Sequence, residues 1–288
     1  MKKAIAVVFV LFQFISANAQ VPLKTNGTAY TIGRQKAEIN LFQNGRYGIN
    51  QNNELLAHPV AVFIMPHIHL KHEWLKFNLL TKKFIFSSKH GLYYPTLALN
   101  FSRTQPWLPQ QYRPEESSPQ AIGFQNELLL STLLQEAGHC SPPDHLLTLK
   151  LGAKYAYSID TSLHPLINKA VFFRETSVIN PELNWYAGVA GTGHITNFLN
   201  YSADLVFHAH KLTVEQFSVE SKLGLYGYFN DKLSALLGLK LIYSNELFNQ
   251  AFSFYPWLNI AYQFRFKKSK KKEDGLFKRD RFNFQNAR

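Results

Sequence analysis

The chain is short of several things, and each shortage excludes a class. It has a single cysteine, Cys140, in 288 residues. An intramolecular disulfide framework and a cysteine-cluster zinc or iron–sulfur site are therefore excluded. Charged residues make up only 17%, against a typical ~25% in soluble domains. Beyond the first twenty residues no apolar run is longer than 60–65; a helix needs about 20 apolar residues to cross a bilayer. No G-x-G-x-x-G, P-loop or G-x-S-x-G sequence occurs, so the common phosphate cradles and the nucleophile elbow are absent. The net charge of +12 is concentrated at the ends. The 22 residues 267–288 hold nine Lys or Arg and three Asp or Glu, a net +6, and Lys2 and Lys3 add two more. The body has no basic surface that would track a nucleic acid, so no nucleic-acid partner is expected.

Apolar side chains are plentiful: 46% hydrophobic, 15% aromatic, with 24 Phe and 14 Tyr. Residues 1–19 carry Lys2-Lys3, an apolar stretch over 4–15 and the small residues Ser16-Ala17-Asn18-Ala19. That order is expected of a signal peptide cleaved before Gln20. Residues 267–288 read as a basic, solvated tail, with an anionic envelope component as its alternative partner.

Between these ends the sequence alternates. Leu147, Leu149, Leu151, Ala153, Tyr155 and Tyr157 share one face of an extended segment; Leu146, Thr148, Lys150, Gly152, Lys154 and Ala156 share the other. Similar rows recur. Leu199, Tyr201, Leu205 and Phe207 oppose Asn200, Ser202, Asp204 and His208. Phe217, Val219, Leu223 and Leu225 oppose Glu220 and Lys222. Leu237, Leu239 and Leu241 oppose Gly238 and Lys240. Leu258, Ile260, Tyr262, Phe264 and Phe266 oppose Asn259, Gln263 and Arg265.

A soluble sheet alternates with its apolar face in a core, whereas a transmembrane barrel turns that face to lipid and the polar one to the lumen. Segments of 10 to 16 residues, aromatics near their ends (Tyr155, Tyr157, Tyr226, Tyr228, Phe229, Tyr255, Trp257, Phe266), and Lys with Glu on one polar face favour the barrel. The expected fold is an all-β, closed antiparallel transmembrane barrel of about 12 strands, lined by Lys150, Lys154, Asn200, Asp204, Glu220, Lys222, Lys240 and Arg265. Strands are expected near 35–49, 54–65, 67–79, 82–92, 94–102, 120–136, 143–158, 166–178, 181–190, 193–209, 211–229, 231–245 and 250–266, one more than an even-numbered barrel takes. Long outer loops are expected over the proline-rich 103–120 and over 136–144. A hairpin turning near Lys211 would set Asn200 against Lys222 and Ser202 against Glu220.

Residues 20–266 resemble the outer-membrane β-barrel proteins of Gram-negative bacteria, and the segment Ala251–Phe266, closing on Phe266, resembles their terminal recognition strand. The resemblance implies a place in the outer membrane, contact with its lipids and recognition of that last strand by the barrel-assembly machinery. No cofactor is expected.

Two clusters carry chemistry. His67 and His69 share a strand face, and His208 and His210 repeat the spacing; each pair supplies two metal ligands where a stable site needs a third. Ser88 and His90 also share a face, with Cα atoms about 6.7 Å apart. That separation suggests that they do not meet directly, and a further partner has to come from a neighbouring strand. The first expectation is a non-enzymatic pore, transport-associated or structural barrel. The alternatives are a barrel enzyme acting on envelope lipids through Ser88 and His90, and a soluble secreted β-protein holding a hydrophobic ligand.

Overall fold

A computed structural model describes residues 23–63, 65–94, 96–97, 120–135, 145–158, 183–210, 216–246 and 249–266. Twelve strands run in chain order: β1 (Lys36–Asn40), β2 (Gly45–Gly48), β3 (Asn53–Ala57), β4 (His67–Leu79), β5 (Lys82–Tyr93), β6 (Ala121–Gln135), β7 (His145–Ser158), β8 (Asn184–Thr196), β9 (Leu199–His210), β10 (Gln216–Tyr228), β11 (Leu233–Glu246) and β12 (Asn249–Arg265). Each pairs antiparallel with its sequence neighbours, and β1 pairs with β12, Lys36 opposite Arg265, so the sheet closes. Closure removes the edge strands, which would otherwise leave rows of backbone donors and acceptors unpaired. Among the described residues no helix is long and apolar enough to cross a membrane.

The alternation sets which way each row points. Leu149, Leu151, Leu223, Leu237, Phe254 and Ile260 lie outside, each about half exposed or more. Glu38, Asn40, Glu54, Ser87, Ser131, Asn200, Glu220 and Asn259 lie inside and are buried. A soluble monomer rarely leaves a contiguous apolar surface of this extent uncovered. On the outer face, Trp185, Phe207, Phe217 and Tyr243 follow one another across β8 to β11 with ring centroids 5.6 to 6.0 Å apart. This aromatic row sits toward the end of the barrel remote from the chain termini. Tyr226, Tyr228, Tyr255 and Trp257, expected among the girdle aromatics, instead share the inward rows of Lys222 and Asn259. Tyr226 and Tyr228 pack there on Leu236, with Trp257 against them.

The lumen is partly filled by the chain itself. Residues 23–33 run inside the barrel ahead of β1. Lys24 Nζ bonds the Glu38 carboxylate at 2.7 Å, the Ala29 amide donates to Ser131 Oγ, and the Ile32 amide donates to Glu54 Oε2. The Tyr30 carbonyl accepts from Lys71 Nζ and Arg46 Nη2. Ala29 packs on Ile85 and Leu129. The entry to the lumen depends on two glycines: Gly33 has φ +88°, and a Cβ on Gly48 would stand 1.8 Å from the Gly33 carbonyl oxygen. Beneath this segment Glu54 is held by Arg46 at 2.7 Å and Lys71 at 3.2 Å, all three essentially buried.

Several sequence expectations are corrected. The segment 35–49 is two strands, because Asn40 Nδ2 bonds the Asn44 carbonyl and ties a turn at 41–44. The segments 181–190 and 193–209 redivide as β8 and β9, turning at Asn197-Phe198. The segment 94–102 does not extend as a strand where it is described: β5 ends at Tyr93, and Thr96 and Leu97 are helical. The β9–β10 register is displaced from the expected one, since Asp204 faces Lys222 and Ser202 faces Gly224. The 27-residue connection holding 103–120 and the connection 136–144 flank β6 and so leave opposite ends of the barrel. The strand expected at 166–178, the signal peptide, the basic tail and Cys140 lie outside the described residues.

Candidate functional site

The outer surface is apolar almost throughout, which makes a polar group on it conspicuous. On β5 the outward row reads Phe84, Phe86, Ser88, His90, Leu92; on β6 it reads Ile122, Phe124, Asn126, Leu128. Strand register sets His90 directly opposite Asn126 and Ser88 opposite Leu128. On the other side His90 faces Leu70 and Ser88 faces His72 of β4. Three polar side chains therefore stand together among Leu70, Leu92, Phe124 and Leu128, each of which is more than 40% exposed.

These three form a relay. Ser88 Oγ lies 3.0 Å from His90 Nε2, and His90 Nδ1 lies 2.7 Å from Asn126 Oδ1. The fourth member fixes the protons. Trp74 Nε1 lies 2.8 Å from Ser88 Oγ, and an indole N–H only donates. Ser88 Oγ accepts that bond and directs its own hydrogen to His90 Nε2. The imidazole then carries its proton on Nδ1 and donates it to Asn126 Oδ1. A hydroxyl, an imidazole and an amide acceptor are in hydrogen-bond reach of one another, with the imidazole nitrogen unprotonated toward the hydroxyl, an arrangement that can serve nucleophilic catalysis. Trp74 continues the outward row of Leu70 and His72 on β4, and the register shift between Glu73 and Leu75 leaves it without a ladder partner. Ser88 is 2% exposed beneath Trp74 and His90, while Trp74 is 58% exposed.

The expectation that Ser88 and His90 do not meet is overturned. Their backbones are two residues apart, but the imidazole leans along the strand and covers the gap. Asn126 is the partner sequence reasoning missed. Its signal was there: Asn126 interrupts an apolar outward row, as Ser88 and His90 do.

The histidine pairs do not gather into a metal centre. His67 and His69 lie side by side on the inner face, ring centroids 5.4 Å apart. His67 uses Nδ1 on the Met65 carbonyl and Nε2 on Asn44 Oδ1. His69 meets Tyr93 edge-on. His208 stacks on Tyr186, and the His210 side chain lies outside the described residues. Among the described residues no three His, Cys, Asp or Glu side chains converge.

The lumen residues divide by depth. Lys150, Asp204, Lys222 and Lys240 border a cavity of about 640 Å³. Lys150 bonds Asp204 at 2.9 Å, and Glu220 holds Lys222 at 2.8 Å and Lys240 at 3.1 Å. Lys154 lies over the Tyr186 ring, and Asn200 is fully buried beside Tyr228. Arg265, expected to line the lumen, ends β12 at the mouth and is exposed. No known family model and no curated protein matches the sequence.

Proposed function

We propose that the chain is an outer-membrane barrel hydrolase that cleaves an acyl ester of an envelope lipid at Ser88, with His90 as general base and acid and Asn126 as its orienting partner. The observation that carries this reading is the Ser88–His90–Asn126 relay on the apolar outer face. Lipid presents itself to that face directly, so the substrate needs no passage through the lumen.

In the proposed reaction Ser88 Oγ attacks the acyl carbonyl as His90 Nε2 takes the hydroxyl proton. The bond to the leaving alcohol breaks as His90 returns that proton to the alcohol oxygen. Water, giving its proton to His90, then attacks the acyl-serine; fatty acid leaves and Ser88 regains its hydrogen. Asn126 holds the Nδ1–H throughout and steadies the imidazolium that forms. Trp74 Nε1–H, bonded to Ser88 Oγ in the resting relay, becomes a donor for the oxyanion beside that oxygen once its ring has moved for substrate. For substrate to reach Oγ, the Trp74 ring has to yield.

Supporting features agree with a membrane setting. The apolar outer rows are continuous, the aromatic row marks one end, and the connections of 27 and 25 residues leave the end opposite the termini, as the outer loops of such barrels do. His90 lies three residues from the β5 terminus at that end, about 10 Å, at the depth where lipid esters meet the headgroups. The lumenal segment 23–33 weighs against free solute passage and so favours the enzyme over the pore.

The test is hydrolysis of short-chain acyl esters and extracted envelope phospholipid by the purified protein in detergent micelles. Ser88→Ala is expected to reduce the rate by at least about a hundredfold, with the barrel intact by circular dichroism. Equal rates in the two proteins would overturn the proposal.

A further inference from the structure

The cavity of about 640 Å³ inside the barrel has an unequal lining. Lys24, Lys71, Lys89, Lys150, Lys222 and Lys240 border it, against a single carboxylate, Asp204, among the described residues. The anions that hold these lysines, Glu38, Glu54, Glu127 and Glu220, are 5% exposed or less, and none of them borders the cavity. In each of these pairs it is the cationic partner that borders the cavity. With Arg46, which shares Glu54 with Lys71, seven cations meet five carboxylates in this set of described residues. Low-dielectric walls strengthen the resulting positive potential. The lysines come from six different segments, namely the lumenal segment, β4, β5, β7, β10 and β11, and they converge on one space.

We infer that this cavity is a binding site for a phosphate-bearing anion, separate from the Ser88 centre. Lysine ammoniums act as point charges that suit phosphate oxygens. Asn26, whose amide has a second hydrogen beyond its bond to Glu38, and the Tyr226 hydroxyl also border the cavity and suit a polar ligand of several oxygens. Trp257 also borders the cavity, with Lys222 Nζ 5.9 Å from its ring, and provides an optical signal. The lumenal segment contributes Lys24 directly, so occupancy of the site also ties residues 23–33 to the wall. Ser88 and His90 lie on the opposite surface of β5 from Lys89, which makes the two sites independent in a test.

The experiment is a titration of the full chain in detergent with pyrophosphate, followed by calorimetry and by Trp257 fluorescence, the latter assigned with Trp257→Phe. Saturable binding is expected, weakening with ionic strength. The Lys150→Gln/Lys240→Gln variant should bind at least tenfold more weakly, and Ser88→Ala should bind as the parent does. Lys150→Arg keeps the charge and should retain affinity, and serves as the comparison should the double variant fail to fold: Lys150→Gln alone should then fall below it. A wild-type titration with no saturation overturns the inference. So does equal affinity of the folded glutamine variants and the parent. Lost binding in Ser88→Ala would overturn the separateness of the sites.

Discussion

Replacing Asn126 by alanine isolates the orienting half of the relay. The His90 Nδ1–Asn126 Oδ1 contact is 2.7 Å on the barrel exterior. Between neutral groups such a bond contributes about 0.5–1.5 kcal/mol net. In the transition state the ring becomes an imidazolium, and a charge-assisted bond is roughly twice as strong. The difference, ~0.5–1.5 kcal/mol, corresponds to a roughly two- to tenfold fall in kcat at 1.36 kcal/mol per factor of ten. Loss of ring orientation takes the total toward roughly a hundredfold. KM should hardly move, because the bond strengthens only as the reaction proceeds. Asn126→Asp sharpens the test: an anion beside His90 favours the protonated ring, so the acid limb of kcat/KM moves to higher pH. The assay is a pH–rate profile on a short-chain ester in micelles for parent, Asn126→Ala and Asn126→Asp. An unchanged kcat in Asn126→Ala, together with an unmoved acid limb in Asn126→Asp, would refute the orienting role.

Other consequences concern the donor, the buried charges and the lumenal segment. Trp74→Phe keeps an aromatic ring and deletes the N–H; kcat should fall by about a hundredfold if that donor serves the oxyanion, and an undiminished kcat would reduce Trp74 to a cover. Glu54→Gln leaves Arg46 and Lys71 buried without their shared anion; stability should drop by about 3–5 kcal/mol, read from the guanidinium unfolding midpoint, and a midpoint unchanged from the parent would contradict the burial of that cluster. Gly48→Ala forces a Cβ onto the Gly33 carbonyl; residues 23–33 should become open to limited proteolysis, and a parent-like digestion pattern would count against their entry at that point.

The barrel was legible because one physical signal repeats over a long chain. A period of two with greasy and polar rows, as at 147–157 and 217–225, marks long strands, and closing their sheet removes the edges they would otherwise leave unpaired. Strand ends were less legible, since turns such as 41–44 and Asn197-Phe198 carry no proline or glycine at their centre and continue the alternation. The aromatic positions misled where parity was overlooked: Tyr226 and Tyr228 share the row of Glu220 and Lys222, so they were bound to point inward. Ser88 and His90 were visible as residue types, but their contact depends on side-chain lean, and Asn126 is reached only across a 36-residue gap through a register that sequence does not specify. The lumenal path of residues 23–33 had no periodic signal at all; only Gly33 and Gly48 hinted at a close backbone approach.

Ser88, the proposed nucleophile, stands on the apolar outer wall of the barrel. The direct measurement is covalent labelling of the detergent-solubilised protein with an alkyl fluorophosphonate, located by peptide mass spectrometry. The account predicts a single phosphonylated residue, Ser88, with labelling abolished in His90→Ala and slowed in Asn126→Ala. A folded barrel that takes up no label, or carries it on another residue, contradicts it.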